Sequence, residues 1–242
     1  MDATIRAKEL LDRLSDSEHL IHDGTAIMLS GGVDSSLLLA CYSSKLIPYS
    51  IGFPGSQDIL MATRLCNDLG MKLKIIEATE ETVKDAANHV LELDDGINFT
   101  ELGFETTLFF ALSSINEDFV MTGQGADEIF YGYSKFVDGR EDSNSSSLKI
   151  LMERTLPREN KISSALGKKL VLPYLMGEIP ETFKSLSRED HIRNGVGKII
   201  VREACRFKGL PSYIYQRPKK AAQYGTGFSR HLELDFRRRV SR

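Results

Sequence analysis

Cysteine is scarce in this chain: three occur in 242 residues, Cys41, Cys66 and Cys205, far apart and outside any C-x-x-C or Cys/His spacing. That argues against a disulfide scaffold or a structural zinc site and leads us to expect three packed thiols in a reducing, cytoplasmic setting. Charge of one sign is lacking as well. The 31 basic and 34 acidic side chains leave a formal net charge of -3, so no global basic field exists to draw nucleic acid or an anionic membrane. No stretch approaches the roughly 18 apolar residues of a membrane span, and the charged start "MDATIRAKELLDRL" has no apolar leader core. The five histidines, His19, His22, His89, His191 and His231, form no ligand cluster, although His19 and His22 share a helix face. Internal repeats are missing too.

What is present is a hydrophobic fraction of 41%, enough to bury a core. Ile5, Leu10, Leu11, Leu14, Leu20 and Ile21 recur at helical spacing up to "HDG". The run "TAIMLS" then reads as a strand, "DSSLLLACYSSKL" as a helix, "LIPYSIGF" as a strand, "SQDILMATRLCNDLG" as a helix and "KLKIIEA" as a strand. "TEETVKDAANHVLEL" is an amphipathic helix whose capping box we expect to join Thr79 to a glutamate. After "ELGFETTLFFALSSI" comes the strand "FVMT". Strands alternating with helices predict an α/β fold, a parallel sheet covered on both faces. Beyond Tyr133 the pattern changes: "VDGREDSNSSS" reads as a polar loop, with helices around 147–156, 159–168, 178–187 and 196–207 packing on one edge of the sheet.

Two glycine-rich turns follow strands. "IMLSGGVDSS" sets Ser30, Gly31, Gly32, Asp34, Ser35 and Ser36 where a strand becomes a helix. Glycines let the backbone approach an anion, and the N–H groups of the first helical turn suit phosphate. Asp34 would repel a bare phosphate, so a bridging cation such as Mg²⁺ is implied, unless Asp34 is simply an N-cap. "TGQGADEIFYGY" delivers Asp127 and Glu128 in the same way. Asp127 reads as a second cation ligand or an ordinary cap, and Glu128 as a locally paired acid. Phe130, Tyr131 and Tyr133 read as packing residues. The late "RPKK" reads as a solvated basic patch or, with "YGTG", as a mobile lid.

"SGGVDSS" resembles the pyrophosphate loop of the ATP-pyrophosphatase (PP-loop) superfamily and lacks the GK[ST] of a Walker A motif. With "GFPGSQD", "TGQGADEIFYGY", "RENKISSALGKKLVLPYL" and "REA" followed by "QRPKKAAQYGTGF", the chain resembles the synthetase domain of glutamine-hydrolysing asparagine synthetases and their relatives, the β-lactam and carbapenam synthetases. The resemblance implies an adenine-nucleotide alpha-hydrolase-like fold with additional C-terminal helices. It implies a single domain over 1–242, with a nucleotide-binding core to about 137 and a helical part from about 147 completing the site. The implied activity is adenylation of a small carboxylate by ATP, releasing pyrophosphate, then acyl transfer to ammonia or an amine. Ser30, Gly31, Gly32, Asp34, Ser35 and Ser36 would hold pyrophosphate. Backbone at Ile51, Gly52, Phe53 and Gly123 would meet adenosine, Asp34 and Asp127 would bind Mg²⁺, and Lys219 would reach the α-phosphate, with Arg217 and Lys220 as weaker candidates.

The chain departs from the pattern at three places. Gln124 stands where asparagine synthetases have a proton-handling Glu and β-lactam synthetases a Tyr; an amide can orient substrate but not accept a proton. Lys169 and Val171 replace a Glu and an Arg near the substrate. Asp2 follows Met1 where glutamine-hydrolysing members carry a nucleophilic cysteine, so the expected nitrogen source is free ammonia, an amine or a partner glutaminase subunit. Alternative readings are an RNA-modifying or sulfur-transfer enzyme on the same scaffold, which scattered cysteines disfavour, and a non-catalytic ATP-binding subunit, which Gln124 favours. A homo-oligomer is left open.

Overall fold

The structure, a computed structural model, describes residues 2–217 and 222–232. After α1 (Ala3–Asp16), the first strand β1 (Thr25–Met28) leads through α2 (Val33–Cys41) to β2 (Leu46–Gly52), and α3 (Gln57–Asp68) leads to β3 (Lys74–Glu77). The chain then returns through α4 (Glu80–Leu93) and α5 (Phe99–Ser114) to β4 (Phe119–Met121). A fifth strand, β5 (Lys169–Val171), completes a wholly parallel sheet in the order β3-β2-β1-β4-β5. This is the expected α/β parallel-sheet architecture.

Period-two alternation along the strands feeds two cores. Ile27, Met121 and Val171 point to one face, where Leu10, Leu14, Leu37, Phe130 and Ile200 close over them. Ala26, Val120 and Ile51 point to the other, under Val83, Val90, Phe110 and Leu112. Central strands are thus largely apolar on both faces, as a sheet covered on both sides requires. Among the described residues no helix is long and apolar enough to cross a membrane.

Three expectations need correction. The chain beyond Tyr133 does not supply helices alone, because Lys169–Val171 pairs with Phe119–Met121 as an edge strand. The two helices expected around 147–168 are one helical run: α8 (Ser145–Ile150) passes through a π turn at Leu151–Thr155 into α9 (Leu156–Ala165). Pro157 lies in the first turn of α9, where its missing N–H costs little. The capping partner of Thr79 is Thr82, not a glutamate: the Thr79 N–H donates to Thr82 Oγ1 at 2.9 Å and the Thr82 N–H returns to Thr79 Oγ1 at 3.2 Å. Between β4 and α8 lie the short helices α6 (Ala126–Ile129) and α7 (Ser134–Val137); after β5 come α10 (Ile179–Phe183), α11 (Arg188–His191), α12 (Ile199–Phe207), α13 (Ser212–Tyr215) and α14 (Ala222–Gly225).

Candidate active site

From β1 the chain winds outward through β2 to β3, and the next strand to join, β4, lies on the opposite side of β1. The strand order therefore reverses between the carboxyl ends of β1 and β4, where open α/β sheets form their binding crevice. Both glycine-rich turns sit there and touch: a β-carbon on Gly123 would lie 3.1 Å from Asp34 Cβ. In the first turn, Gly31 has φ +66°, and a β-carbon there would meet Met61 Cβ at 2.6 Å, so the loop passes close over α3. Ser30 folds back on itself, its N–H donating to Ser35 Oγ at 3.3 Å and its Oγ accepting from Gly32 N–H at 3.3 Å. Ser36 Oγ is buried with no partner. The start of α2 therefore gathers backbone N–H groups and the hydroxyls of Ser30, Ser35 and Ser36 in one turn, as an anion site does.

Neither aspartate is the N-cap that the bland reading allowed. Gly32 caps α2 and Gly125 caps α6, leaving both carboxylates for another partner. That partner is Lys198, whose Nζ lies 2.6 Å from Asp34 Oδ2 and 2.6 Å from Asp127 Oδ1. Lys198 is only 2% exposed. Burial by itself would lower the pKa of this ammonium, but the two carboxylates outweigh it and hold the group above its ordinary value. The backbone is shaped around it. Lys198 occupies the left-handed region at φ +58°, and a β-carbon on Gly132 would overlap both the Asp127 carboxylate and Lys198 Cε. Tyr174 adds a hydroxyl donated to the Asp34 carbonyl at 3.0 Å.

Asp34 Oδ1 is buried without a partner, an orphaned hard oxygen that suits Mg²⁺. Among the described residues no three His, Cys, Asp or Glu side chains gather as a ready metal site. A cation held by Asp34 and Asp127 would therefore complete its shell with phosphate oxygens and water.

Gln124 faces an acid. Its Nε2 donates to Glu159 Oε1 at 2.7 Å, from a turn whose Glu128 accepts from Tyr133 OH at 2.5 Å. Glu159 is part-exposed yet crowded by protein, as a group at the bottom of a cleft is; that desolvation, with Glu105 and Glu128 nearby, raises its pKa well above the ordinary range. Glu105, 2% exposed, is pushed up to about 7 by burial, against the pull of Arg158. Arg158 anchors the cluster, with Nε 2.7 Å from Asp94 Oδ2 and Nη1 3.5 Å from Glu105 Oε1.

The backbone of Gly52 and Phe53, where adenosine is expected, lies at the end of β2 and is covered on one side. Phe53 N–H donates to the Thr226 carbonyl at 3.1 Å, and the Phe53 ring stacks on His231 with centroids 4.1 Å apart. "YGTG" is thus docked on the sheet end, with Thr226 buried. Arg217 has more to do than expected: it donates to the carbonyls of Ser30 at 3.2 Å and Gly31 at 3.0 Å. Arg202 secures that segment by donating to the Tyr215 carbonyl at 2.6 Å and the Arg217 carbonyl at 3.0 Å. Lys219 and Lys220 lie outside the described residues. Lys169 opens β5 with its Nζ 5.3 Å from the Phe119 ring centroid, and Val171 packs into the core, so neither side chain joins the residues around Lys198.

Sequence reasoning missed Lys198 and Glu159. Lys198 did leave a signal: a lysine immediately before the apolar run "IIV" sits at the positive end of a helix, where a cation is disfavoured unless something compensates it. Glu159 left none, because "RENK" reads as a solvated helix face.

Comparison with known proteins places this geometry among relatives. The asparagine synthase family model matches residues 17–149 and 140–241. A Methanocaldococcus jannaschii protein provisionally named glutamine-hydrolysing asparagine synthetase 1 is 32% identical over 91% of this chain and 50% of its own length. Asparagine synthetase B of Escherichia coli is 26% identical over 91% of the chain and 45% of its own length. The chain thus spans about half the length of these curated relatives. Among solved structures, NMN synthetase of Francisella tularensis aligns over 94% of this chain and 79% of that one, at 14% identity and a TM-score of 0.48.

Proposed function

Because this chain belongs to the asparagine synthase family, we propose that its sheet-end site adenylates a carboxylate with ATP, releasing pyrophosphate, and passes the acyl group to ammonia or an amine, releasing AMP. The observation that carries this reading is the meeting of the Ser30–Ser36 loop, Asp34, Asp127 and Lys198 at the point where the strand order reverses. Backbone N–H groups at the start of α2 and the hydroxyls of Ser30, Ser35 and Ser36 take the β- and γ-phosphates. Asp34 and Asp127 hold Mg²⁺, which when bound neutralises charge on the departing pyrophosphate. Gly52, Phe53 and Gly123 border the adenosine. Lys219 is read as the cation for the α-phosphate; chain connectivity keeps it two residues from Arg217, which is fastened to the phosphate loop.

Gln124 orients and Glu159 handles the proton. Burial makes the ionised Glu159 carboxylate a stronger base than an ordinary glutamate, able to take a proton from the neutral amine or ammonia as its nitrogen attacks the acyl-adenylate and AMP leaves, which Gln124 cannot do. This supports turnover over an idle subunit. The sulfur-transfer reading loses support because burial raises the Cys41 and Cys66 thiols to about 11 and Cys205 well above its usual value. We read the chain as one functional unit, because Lys198, Glu159 and β5 all come from beyond residue 147. The test is pyrophosphate release from Mg-ATP against a panel of carboxylates with ammonia. Release with one acid supports the proposal; silence with every acid counts against it.

A further inference from the structure

We propose that Lys198 is a built-in counter-cation for Asp34 and Asp127 in the nucleotide-free protein, and that it yields them to a divalent cation only when nucleotide phosphate arrives to receive its ammonium group. The inference rests on the reading of the two aspartates as cation ligands and adds an order to their use. It starts from space. The ammonium nitrogen stands 2.6 Å from one oxygen of each carboxylate, and a divalent ion bound to those oxygens at about 2.1 Å would occupy the same volume. Asp34 Oδ1 is buried without a hydrogen-bond partner, and a single such oxygen beside the two that Lys198 occupies is too little to hold an ion.

Charge gives the same answer. Two carboxylates and one ammonium leave a single negative charge, and a divalent ion added beside a 2%-exposed ammonium would turn the centre cationic in a desolvated place. A polyphosphate removes that conflict, because it can accept the ammonium while the aspartates turn to the metal. The surroundings are built to keep the lysine where it is. Gly132 leaves no room for a β-carbon beside it, and one on Gly197 would approach the Tyr131 carbonyl to 2.9 Å. Lys198 itself holds a left-handed backbone that a non-glycine residue rarely adopts. Metal and nucleotide therefore bind as a pair, and the protein alone does not collect free divalent cations.

The experiment is a manganese titration of the nucleotide-free full chain, followed by calorimetry and by the electron-spin signal of the free ion. Lys198→Met is expected to bind Mn²⁺ at least tenfold more tightly than wild type, and Lys198→Arg, which keeps the charge, no more tightly than wild type. Equal affinity in wild type and Lys198→Met overturns the proposal, as does a gain in Lys198→Arg equal to that in Lys198→Met. If Lys198→Met does not fold, wild-type protein labelled with ¹⁵N-lysine decides, its Lys198 signal assigned through Lys198→Arg. That signal stays put with Mg²⁺ alone and moves when Mg²⁺ and a non-hydrolysable ATP analogue are both present. Movement with Mg²⁺ alone, or none with both, overturns it. Neither readout needs turnover, so a chain that releases pyrophosphate can still fail this test, and one that never does can still pass.

Discussion

Gly132 has no space for a methyl group, because the Asp127 carboxylate and the Lys198 stem already fill it. Gly132→Ala therefore acts on the bridge first and on the fold second. We expect a stability loss of about 1–3 kcal/mol, in the range of ordinary overpacking, with pyrophosphate release reduced by well over tenfold; unchanged release would mean that the Lys198 bridge is not part of the site. Glu159 permits a sharper separation. Glu159→Gln keeps a partner for Gln124 but removes the titrating group, so acid-dependent pyrophosphate exchange should survive within a few-fold while amide formation falls by about 10²- to 10⁴-fold. A parallel fall in both steps would place Glu159 in adenylation instead. At this scale the two aspartates were legible, because each follows a strand and a glycine turn within a few residues. Lys198 was not, since it reaches Asp34 from 164 positions away and only the folded chain brings them together.

Helices and strands were legible where periodicity had length to act on. The strands from β1 to β4 and the helices from α1 to α4 were anticipated. What escaped were elements too short to carry a period: β5 has three residues, and "KKLVLPYL" could equally be a loop. The π turn at Leu151–Thr155 escaped for a different reason, because one widened turn leaves the apolar spacing nearly unchanged. "VDGREDSNSSS" is a loop over 138–144 only, its last three serines opening α8, and it hides a fastening: Asn144 is buried, and its Nδ2 donates to the Glu128 carbonyl at 3.0 Å. Capping was half legible, the start of α4 being right and the partner wrong. Thr79→Ala removes the acceptor for Thr82 N–H and should cost about 1 kcal/mol, a drop of about 2–4 °C in Tm for a chain of this size, with Thr79→Ser restoring most of it. A Thr79→Ala melt that matches wild type would show that α4 is held by packing alone.

Taken as a whole, the molecule buries two groups whose protons pull its stability in opposite directions. Glu105 lies beneath Arg158 on one side of the sheet; His191 is 0% exposed on the other, stacked on Tyr131 with centroids 4.9 Å apart. Burial raises Glu105 from 4.5 to about 7, so the folded protein holds its proton more tightly than the unfolded chain does. That contribution is complete below pH 4.5 and is lost as pH rises through about 7. Burial lowers His191 from 6.5 to about 4, the pull of Asp190 and of the Phe183 carbonyl offsetting only part of it. Its contribution is complete above pH 6.5 and is lost as pH falls toward 4. Each shift corresponds to about 3 kcal/mol across its window, and the windows overlap between pH 4.5 and 6.5. The joint contribution of these two groups should therefore vary little there, because one slope offsets the other. The variants separate them. Glu105→Gln removes the glutamate slope, so its Tm should climb relative to wild type from pH 4.5 to 6.5; Arg158 keeps Asp94 and Glu101 as partners. His191→Leu removes the histidine slope, so its Tm should fall relative to wild type over the same range. Melts of the three proteins at half-unit steps decide it: curves that run parallel would mean that neither group changes its proton affinity on folding, and that the two sides of the sheet do not bury groups with opposed proton-linked slopes.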